Sequence, residues 1–371
     1  MNAIPARLGV QQRVLPAYRA PFFDALARAC PSGLSVFAGS PQPHEGIFSA
    51  GRLDAAQLTL ADNQYLSKMP STVWWQRNLI RWLEAWQPQT LIVEANPRNL
   101  SLPVAVRWMH TRRRAVIGWG LGAPSSRRSR LQFHFYRAFV RQFDALIAYS
   151  QRGAEDFISL GFPAEKVFIA RNAAVSRPTS PPPHRPEQGY AGRPVVLFVG
   201  RLQERKRVDL LLQACAGLPD ELRPRLWIVG DGPAREDLQR LAREIYPDAE
   251  FLGPRHGPEL DEIFDRADLF VLPGTGGLAV QQAMAHALPV IVGEADGTQE
   301  DLVRPTNGWA VQPGDAAALC AALRSALEDP ARLRRFGTES YRIVTEEINL
   351  EGMVAAFEQA VRAVYPSCVY I

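Results

Sequence analysis

Short apolar runs rich in Val, Ile and Leu alternate with longer amphipathic stretches along nearly the whole chain. A strand that is apolar at every position needs cover on both faces. A parallel sheet flanked by helices gives that cover, and an antiparallel sheet with one solvated face does not. In the first half the pattern predicts strands over 13–15, 34–38, 91–94, 115–118, 145–150 and 167–170. Helices are expected between them over 21–30, 71–86, 102–112, 129–142 and 153–160. The second half repeats the alternation, with strands over 195–200, 226–230, 250–252, 269–272, 290–292 and 308–311. Its helices are expected over 207–215, 234–244, 259–266, 278–286 and 316–326. The fold class is therefore α/β.

The two halves are separated by residues 178–194, PTSPPPHRPEQGYAGRP, which hold six prolines and almost no apolar periodicity. Proline fixes φ and removes a donor, so this stretch is expected to be a stiff connector. At 371 residues the chain is long enough for two domains. Two parallel-sheet domains joined in this way imply a cleft between them. Ligands of such sheets bind beyond the carboxyl ends of the strands, which makes the cleft the expected site.

A net charge of +4 is too mild to argue for nucleic acid, and none is expected as a partner. The arginines nevertheless cluster, at 112–114 and again at Arg127, Arg128, Arg130, Arg137 and Arg141. Such a stripe can gather nucleotide diphosphates or acidic lipid head groups, or it can be a solvated helix face. The helix over 129–142 mixes Phe133, Phe135 and Tyr136 with these arginines, which suits either a membrane interface or a core-facing aromatic stripe. The four cysteines lie far apart, without metal-type spacing, and are read as reduced. No apolar run reaches the roughly 20 residues that span a bilayer. A cytoplasmic protein, free or peripheral at the inner membrane face, is expected.

Three segments carry the chemistry. VVLFVGRLQERKRVDLLLQA (195–214) is a buried strand ending at Gly200, then Arg201 and Lys206 just before a helix. Two cations at a strand end beside a helix N-terminus form a clamp for a diphosphate. Arg205 and Arg207 are read as solvated. LWIVGDGPAREDLQRLA (226–242) turns a second strand into a second helix through Gly230, Gly232 and Pro233. FVLPGTGGLAVQQAMAHALPVIV (270–292) places Gly274, Gly276 and Gly277 before a helix opening at Leu278, where exposed N–H groups can hold an anion. His286 is read as packing near the end of that helix rather than as a base.

In this serial order, with FLG (251–253), ADLFVLP (267–273) and NGWAVQPGD (307–315), the segments resemble the donor-binding domain of retaining GT-B glycosyltransferases of family 4 (glycosyl transferases group 1). Upstream, RVLPAYRAPFFDAL (13–26), IGWGLG (117–122) and YSQRGAEDFISLGFPAEKVFIARNA (149–173) resemble that family's acceptor domain, and INLEGMVAAFEQAV (348–361) its closing helix. The resemblance implies two Rossmann-like domains facing across a cleft: 1–177 on the acceptor side, 178–194 as linker, 195–345 binding the donor, and a helix in 346–371 returning to the first domain. It implies transfer of a sugar from a nucleotide-diphosphate donor to a hydroxyl on a glycan, a lipid-linked or a small-molecule acceptor, with retention. Arg201 and Lys206 would hold the diphosphate and stabilise it as it departs, with neither cofactor nor metal. Gly200 and Gly230 would bring backbone close to it, and Gly276 and Gly277 would offer amides beside Leu278. Gly253, Pro254 and Arg255 would line the base pocket, and Gln282 would pair with the ribose.

The family usually carries two glutamates eight positions apart, and this chain has Gly274 and Gln282 there. Glu294, Asp296 and Glu300 follow the next strand and could supply a carboxylate. On the acceptor side Tyr18, Arg19, Asn96 and Trp119 fall at strand ends, Trp119 either stacking on a sugar or filling the core. Leu121 stands where family members often carry histidine. Two other readings remain open from the sequence: a non-catalytic partner subunit that keeps the phosphate clamp, motivated by Gly274, and a sugar-nucleotide epimerase, for which no acid–base pair can be placed.

Overall fold

The computed structural model describes residues 3–42, 45, 47–66, 73–122, 130–276, 278–293 and 301–365, without the side chains of residues 130 and 131. By its internal contacts the chain divides into two units, 1–174 with 350–371, and 175–349.

In the first unit the apolar runs become β1 (Leu8–Val14), β2 (Leu34–Gly39), β3 (Gln57–Ala61), β6 (Thr90–Glu94), β7 (Ala115–Gly120), β8 (Ala145–Ala148) and β9 (Val167–Ile169). They form one parallel sheet in the order β3-β2-β1-β6-β7-β8-β9. A short antiparallel pair, β4 (Asn63–Tyr65) and β5 (Trp74–Gln76), stands apart from it. The helices are α1 (Ala20–Arg28), α2 (Leu79–Trp86), α3 (Leu102–His110), α4 (Arg130–Val140) and α5 (Gln151–Ser159). Ser150, read as strand, instead caps α5, its Oγ accepting from the Gly153 N–H at 3.1 Å.

Two differences from the expected elements share one cause. The helix expected over 71–86 is helical only from Leu79, and the strand expected at 13–15 begins at Leu8. Gln11, buried in the central strand β1, donates its amide to Gln76 Oε1 at 2.7 Å. Gln76 in turn donates to Gln12 O at 3.0 Å and Asn63 Oδ1 at 2.9 Å, and its own N–H donates to Ser101 Oγ at 2.7 Å. A buried amide must find partners, and this network holds residues 74–76 extended. Two glutamines also interrupt the apolar run of β1, so the strand is hidden from hydrophobic periodicity.

In the second unit β10 (Val195–Val199), α6 (Val208–Ala216), β11 (Arg225–Val229), α7 (Arg235–Ile245), β12 (Ala249–Gly253), α8 (Pro258–Arg266), β13 (Leu269–Leu272), α9 (Leu278–Ala285), β14 (Val290–Gly293) and β15 (Gly308–Val311) follow in turn. Helices α10 (Ala316–Leu327) and α11 (Pro330–Glu346) complete it. The sheet runs β12-β11-β10-β13-β14-β15, all parallel, which is the 3-2-1-4-5-6 order of a dinucleotide-binding domain. Its switch point lies between β10 and β13. The last helix, α12 (Leu350–Val364), belongs to the first unit, where it packs on α1, β8 and β9. Phe357 sits 4.9 Å from both the Phe22 and Trp119 rings.

The proline-rich stretch lies against the second unit. Arg185 donates to the Ala267, Phe264 and His286 carbonyls at 2.8, 2.9 and 2.9 Å, and Tyr190 OH donates to Leu327 O at 2.9 Å. One planar guanidinium thus bonds carbonyls at the ends of both α8 and α9, where backbone acceptors outnumber helical donors.

Among the described residues no helix is long and apolar enough to cross a membrane. On α4, Phe133 and Tyr136 pack against the core while Phe135 is 55% exposed. The aromatic stripe is therefore mostly inward.

Candidate functional site

Beside the second unit's switch point, backbone bonds join the carboxyl ends of β10, β11 and β12. Gly200 N–H donates to Val229 O at 3.0 Å, Gly230 N–H to Gly253 O at 2.9 Å, and Leu202 N–H to Asp231 O at 2.9 Å. Gly230 has φ +133°, and a Cβ there would stand 2.0 Å from Gly200 O. Only glycine allows β11 to approach β10 so closely at that point.

From Gly200 the chain passes Arg201, which is exposed, and makes a 3-10 turn over Glu204–Lys206. This turn docks on the loop after β13. Thr275 N–H donates to Arg205 O at 3.0 Å, and Lys206 Nζ donates to Thr275 O at 2.8 Å. Arg205 Nη1 reaches Thr275 Oγ1 at 3.2 Å. Arg205, read as solvated, is exposed and also bonds the glycine loop, while Arg207 pairs with Asp209 at 2.9 Å. Thr275 carries no sequence signal of this role, because it acts chiefly through its backbone N–H and carbonyl.

Gly274 is the residue this docking requires. A Cβ on it would lie 2.2 Å from Arg205 O and 2.6 Å from Lys206 Cα. The place where the family's usual first glutamate would begin is occupied by the 205–206 backbone. The missing side chain is a packing consequence of the tight loop. At Gly276, φ is +88° and the Cβ position faces Lys206 Nζ at 3.0 Å and Arg205 Nη1 at 3.5 Å. Two cations therefore stand over a bare stretch of loop at the N-terminal end of α9. Burial first, and then the neighbouring Arg205, pushes the Lys206 ammonium down to about 8. A polyanion placed there would relieve both effects.

The other expected residues take positions around this point. Leu278 and Gln282, both half-buried, lie one turn apart on α9. The adjacent Gln281 is turned inward and donates to Ile348 O at 3.1 Å. Gly253, buried with φ +72°, ends β12, and Pro254 and Arg255 after it are exposed, Arg255 pairing with Glu259 at 3.6 Å. β12 lies two strands from β10, about 10 Å away at ordinary strand spacing, so these residues flank the clamp without touching it. Gly277, Glu294, Asp296 and Glu300 lie outside the described residues. His286 stacks on Phe264 and bonds Asp265 at 2.6 Å at the far end of α9, away from the switch point.

In the first unit Trp119 is fully buried among Phe22, Phe23, Tyr149 and Phe357, and is core. Arg19 is buried too, its guanidinium 4.9 Å from the Trp119 ring centroid and 5.2 Å from that of Tyr149. Tyr18 is 43% and Leu121 54% exposed. Asn96 holds the loop after β6 through Arg98 N–H, at 3.1 Å. Glu94, which no motif singles out, stands at the carboxyl end of β6 beside this sheet's own switch point. It accepts from Arg13 N–H at 3.0 Å.

Residues 6–173 match the family model of the glycosyl transferase 4-like domain, and residues 193–329 that of glycosyl transferases group 1. The chain is 28% identical over 95% of its length to a GDP-mannose-dependent monoacylated α-(1-6)-phosphatidylinositol monomannoside mannosyltransferase of Corynebacterium glutamicum, covering 94% of that protein. It is 30% identical over 59% of its length to the sulfoquinovosyl transferase SQD2 of Arabidopsis thaliana, of which it spans 46%. Its fold is that of Anabaena HepE in complex with UDP, with TM-score 0.72 and 16% identity over 98% of this chain and 100% of that one. With a Rossmann-like sheet in each unit and both domain models matched in order, the chain belongs to the GT-B glycosyltransferases of the group 1, family 4-like type.

Proposed function

We propose that this glycosyltransferase moves a hexosyl group from a nucleoside-diphosphate donor to a hydroxyl on a glycan, lipid-linked or small-molecule acceptor, with retention of configuration. The observation that carries the reading is the clamp. Lys206, tied to the loop after β13 through Thr275 O, and Arg201, five residues before it and just past the end of β10, lie beside the switch point of a dinucleotide-type sheet. The names of the relatives agree with a nucleotide donor, since the Corynebacterium protein is GDP-mannose-dependent and the Anabaena protein was solved with UDP.

In this reading the sugar–phosphate bond breaks as negative charge gathers on the diphosphate, and Arg201, Lys206 and the Gly276–Gly277 amides stabilise that charge. The leaving phosphate assists the incoming hydroxyl, so no strong protein base is assigned. Two cations balance the diphosphate, and no metal is required by the scheme. Gln282 takes the ribose, and Gly253, Pro254 and Arg255 face the base. Sugar recognition then falls to backbone and to groups other than position 274. The reaction belongs in the cytoplasm, free or at the inner membrane face.

The test is incubation of the purified chain with UDP- and GDP-sugars, with and without EDTA, following nucleoside diphosphate release and the anomeric configuration of the product by proton NMR. Release that survives EDTA with an α-linked product from an α-linked donor is expected. An inverted product, or dependence on added metal, would refute the corresponding part. A chain that binds the diphosphate yet transfers nothing with any donor would be a partner subunit instead.

A further inference from the structure

The amino ends of the first unit's strands carry a feature that sugar transfer does not use. A cavity of about 770 Å³ opens where Ala115 begins β7 and where Gln89, Asp144 and Lys166 immediately precede β6, β8 and β9, four neighbouring strands. Donor and acceptor chemistry belongs at the other, carboxyl end of such strands. The end of α12, at Tyr365, closes one side of the cavity.

Its charge is lopsided. Arg113, Arg114, Lys166 and His110 face one carboxylate, Asp144. Asp144 is already engaged, bonding His110 Nε2 at 3.1 Å and accepting from Val116 N–H at 2.8 Å. Arg114 is held by neutral groups, donating to Gln87 Oε1 at 2.8 Å and Pro88 O at 3.2 Å, with its guanidinium 5.5 Å from the Trp108 ring. Burial first, then the nearby Arg112 and Arg7, keeps its guanidinium below the ordinary value. Arg113 and Lys166 are exposed and have no carboxylate partner among the described residues.

The ends of helices attract cations, and that alone could explain arginines after α3. Arg112 already does this work, donating to Trp108 O at 3.2 Å. Arg113 does not. It occupies the left-handed position that follows a helix, φ +55°, where glycine is favoured, and its side chain points no hydrogen bond back to α3. A long cation thus sits in a backbone conformation that favours glycine.

We propose that this cavity binds a phosphate-bearing ligand, its oxygens set against Arg113, Arg114 and Lys166. Arginine offers a planar fork and lysine a point charge, the combination suited to phosphate oxygens. The cavity is much larger than one phosphate and leaves room for more than the anion: a phosphorylated soluble molecule or the head group of an acidic phospholipid.

The experiment uses the full chain with Arg201→Ala and Lys206→Ala, which silences the donor clamp, and pyrophosphate as probe in calorimetry. Binding is expected in that background, weakened about tenfold or more when Arg113→Gln and Lys166→Gln are added. The charge-keeping pair Arg113→Lys and Lys166→Arg should retain it, which separates charge from misfolding. A second arm sediments the otherwise wild-type chain with vesicles of mixed phosphatidylglycerol and phosphatidylcholine, against phosphatidylcholine alone. Binding to the acidic vesicles that is lost with Arg113→Gln and Lys166→Gln identifies a lipid head group. Pyrophosphate binding without vesicle binding identifies a soluble phosphate. If neither probe binds, or if the glutamine pair changes neither, the proposal is wrong.

Discussion

Raising the pH from 7 to 9 should weaken nucleoside diphosphate binding about tenfold through Lys206 alone. The ammonium is held to about 8 by burial and by Arg205, against an ordinary 10.5. At pH 7 it is then about nine-tenths charged, and at pH 9 about one-tenth. A bound diphosphate opposes both causes and returns the group to its ordinary value or above. Binding therefore takes up a proton wherever the pH lies between the two values. The sign follows: affinity is greatest below about pH 8 and falls as pH rises toward 10.5, with about half a proton taken up at pH 8. Calorimetry with UDP and GDP, in buffers of different ionisation enthalpy, reads affinity and proton uptake together. Lys206→Arg keeps a charge across the range and should flatten the profile. An affinity in the wild-type chain that does not change from pH 7 to 9 would rule out Lys206 as the titrating group, as would a slope that survives Lys206→Arg.

Gly274→Ala should destabilise the second unit by about 1–3 kcal/mol in urea unfolding and weaken diphosphate binding, because its Cβ would drive into Arg205 O. Arg334→Leu should cost about 2–3 kcal/mol in the same assay, since it strips Asp268 of a partner 2.7 Å away in a pair almost closed to water. Arg185→Met removes the anchor of the proline-rich stretch, so limited proteolysis should cut within 178–192 at a protease dose the wild-type chain resists. Hydrogen bonds from Arg304, reinforced by Arg342, hold the Glu347 carboxyl down to about 2. Its contribution is thus present above about pH 4.5 and lost as pH falls toward 2, and Glu347→Gln should flatten acid unfolding over that window by about 1–2 kcal/mol.

The clamp was legible because its signals are local. Gly200, Arg201 and Lys206 follow directly on a fully apolar strand, and Gly274 and Gly276 directly on another, so periodicity and composition place them at strand ends. The parallel sheets were legible for the same reason, their central strands being buried on both faces. Distant partners were not legible. Gln11 and Gln76 look like surface polar residues until the fold brings them 2.7 Å apart, and that pairing turned an expected helix into strand β5. Arg185 reads as one more charge in a proline-rich run, and only folding shows it the carbonyls at the ends of two helices. Gly274 reads as a lost glutamate, whereas the structure shows that backbone fills the space a side chain would need.

The central claim is that Arg201 and Lys206 bind the diphosphate of a sugar nucleotide. Titrating UDP and GDP into the wild-type chain and into Arg201→Ala/Lys206→Ala at pH 7 tests it most directly. At least one nucleotide should bind the wild-type chain, and the double substitution should weaken it about a hundredfold, two charge-assisted contacts at about 1.5 kcal/mol each. Equal affinity in the two chains, or no binding of either nucleotide to the wild-type chain, would contradict it.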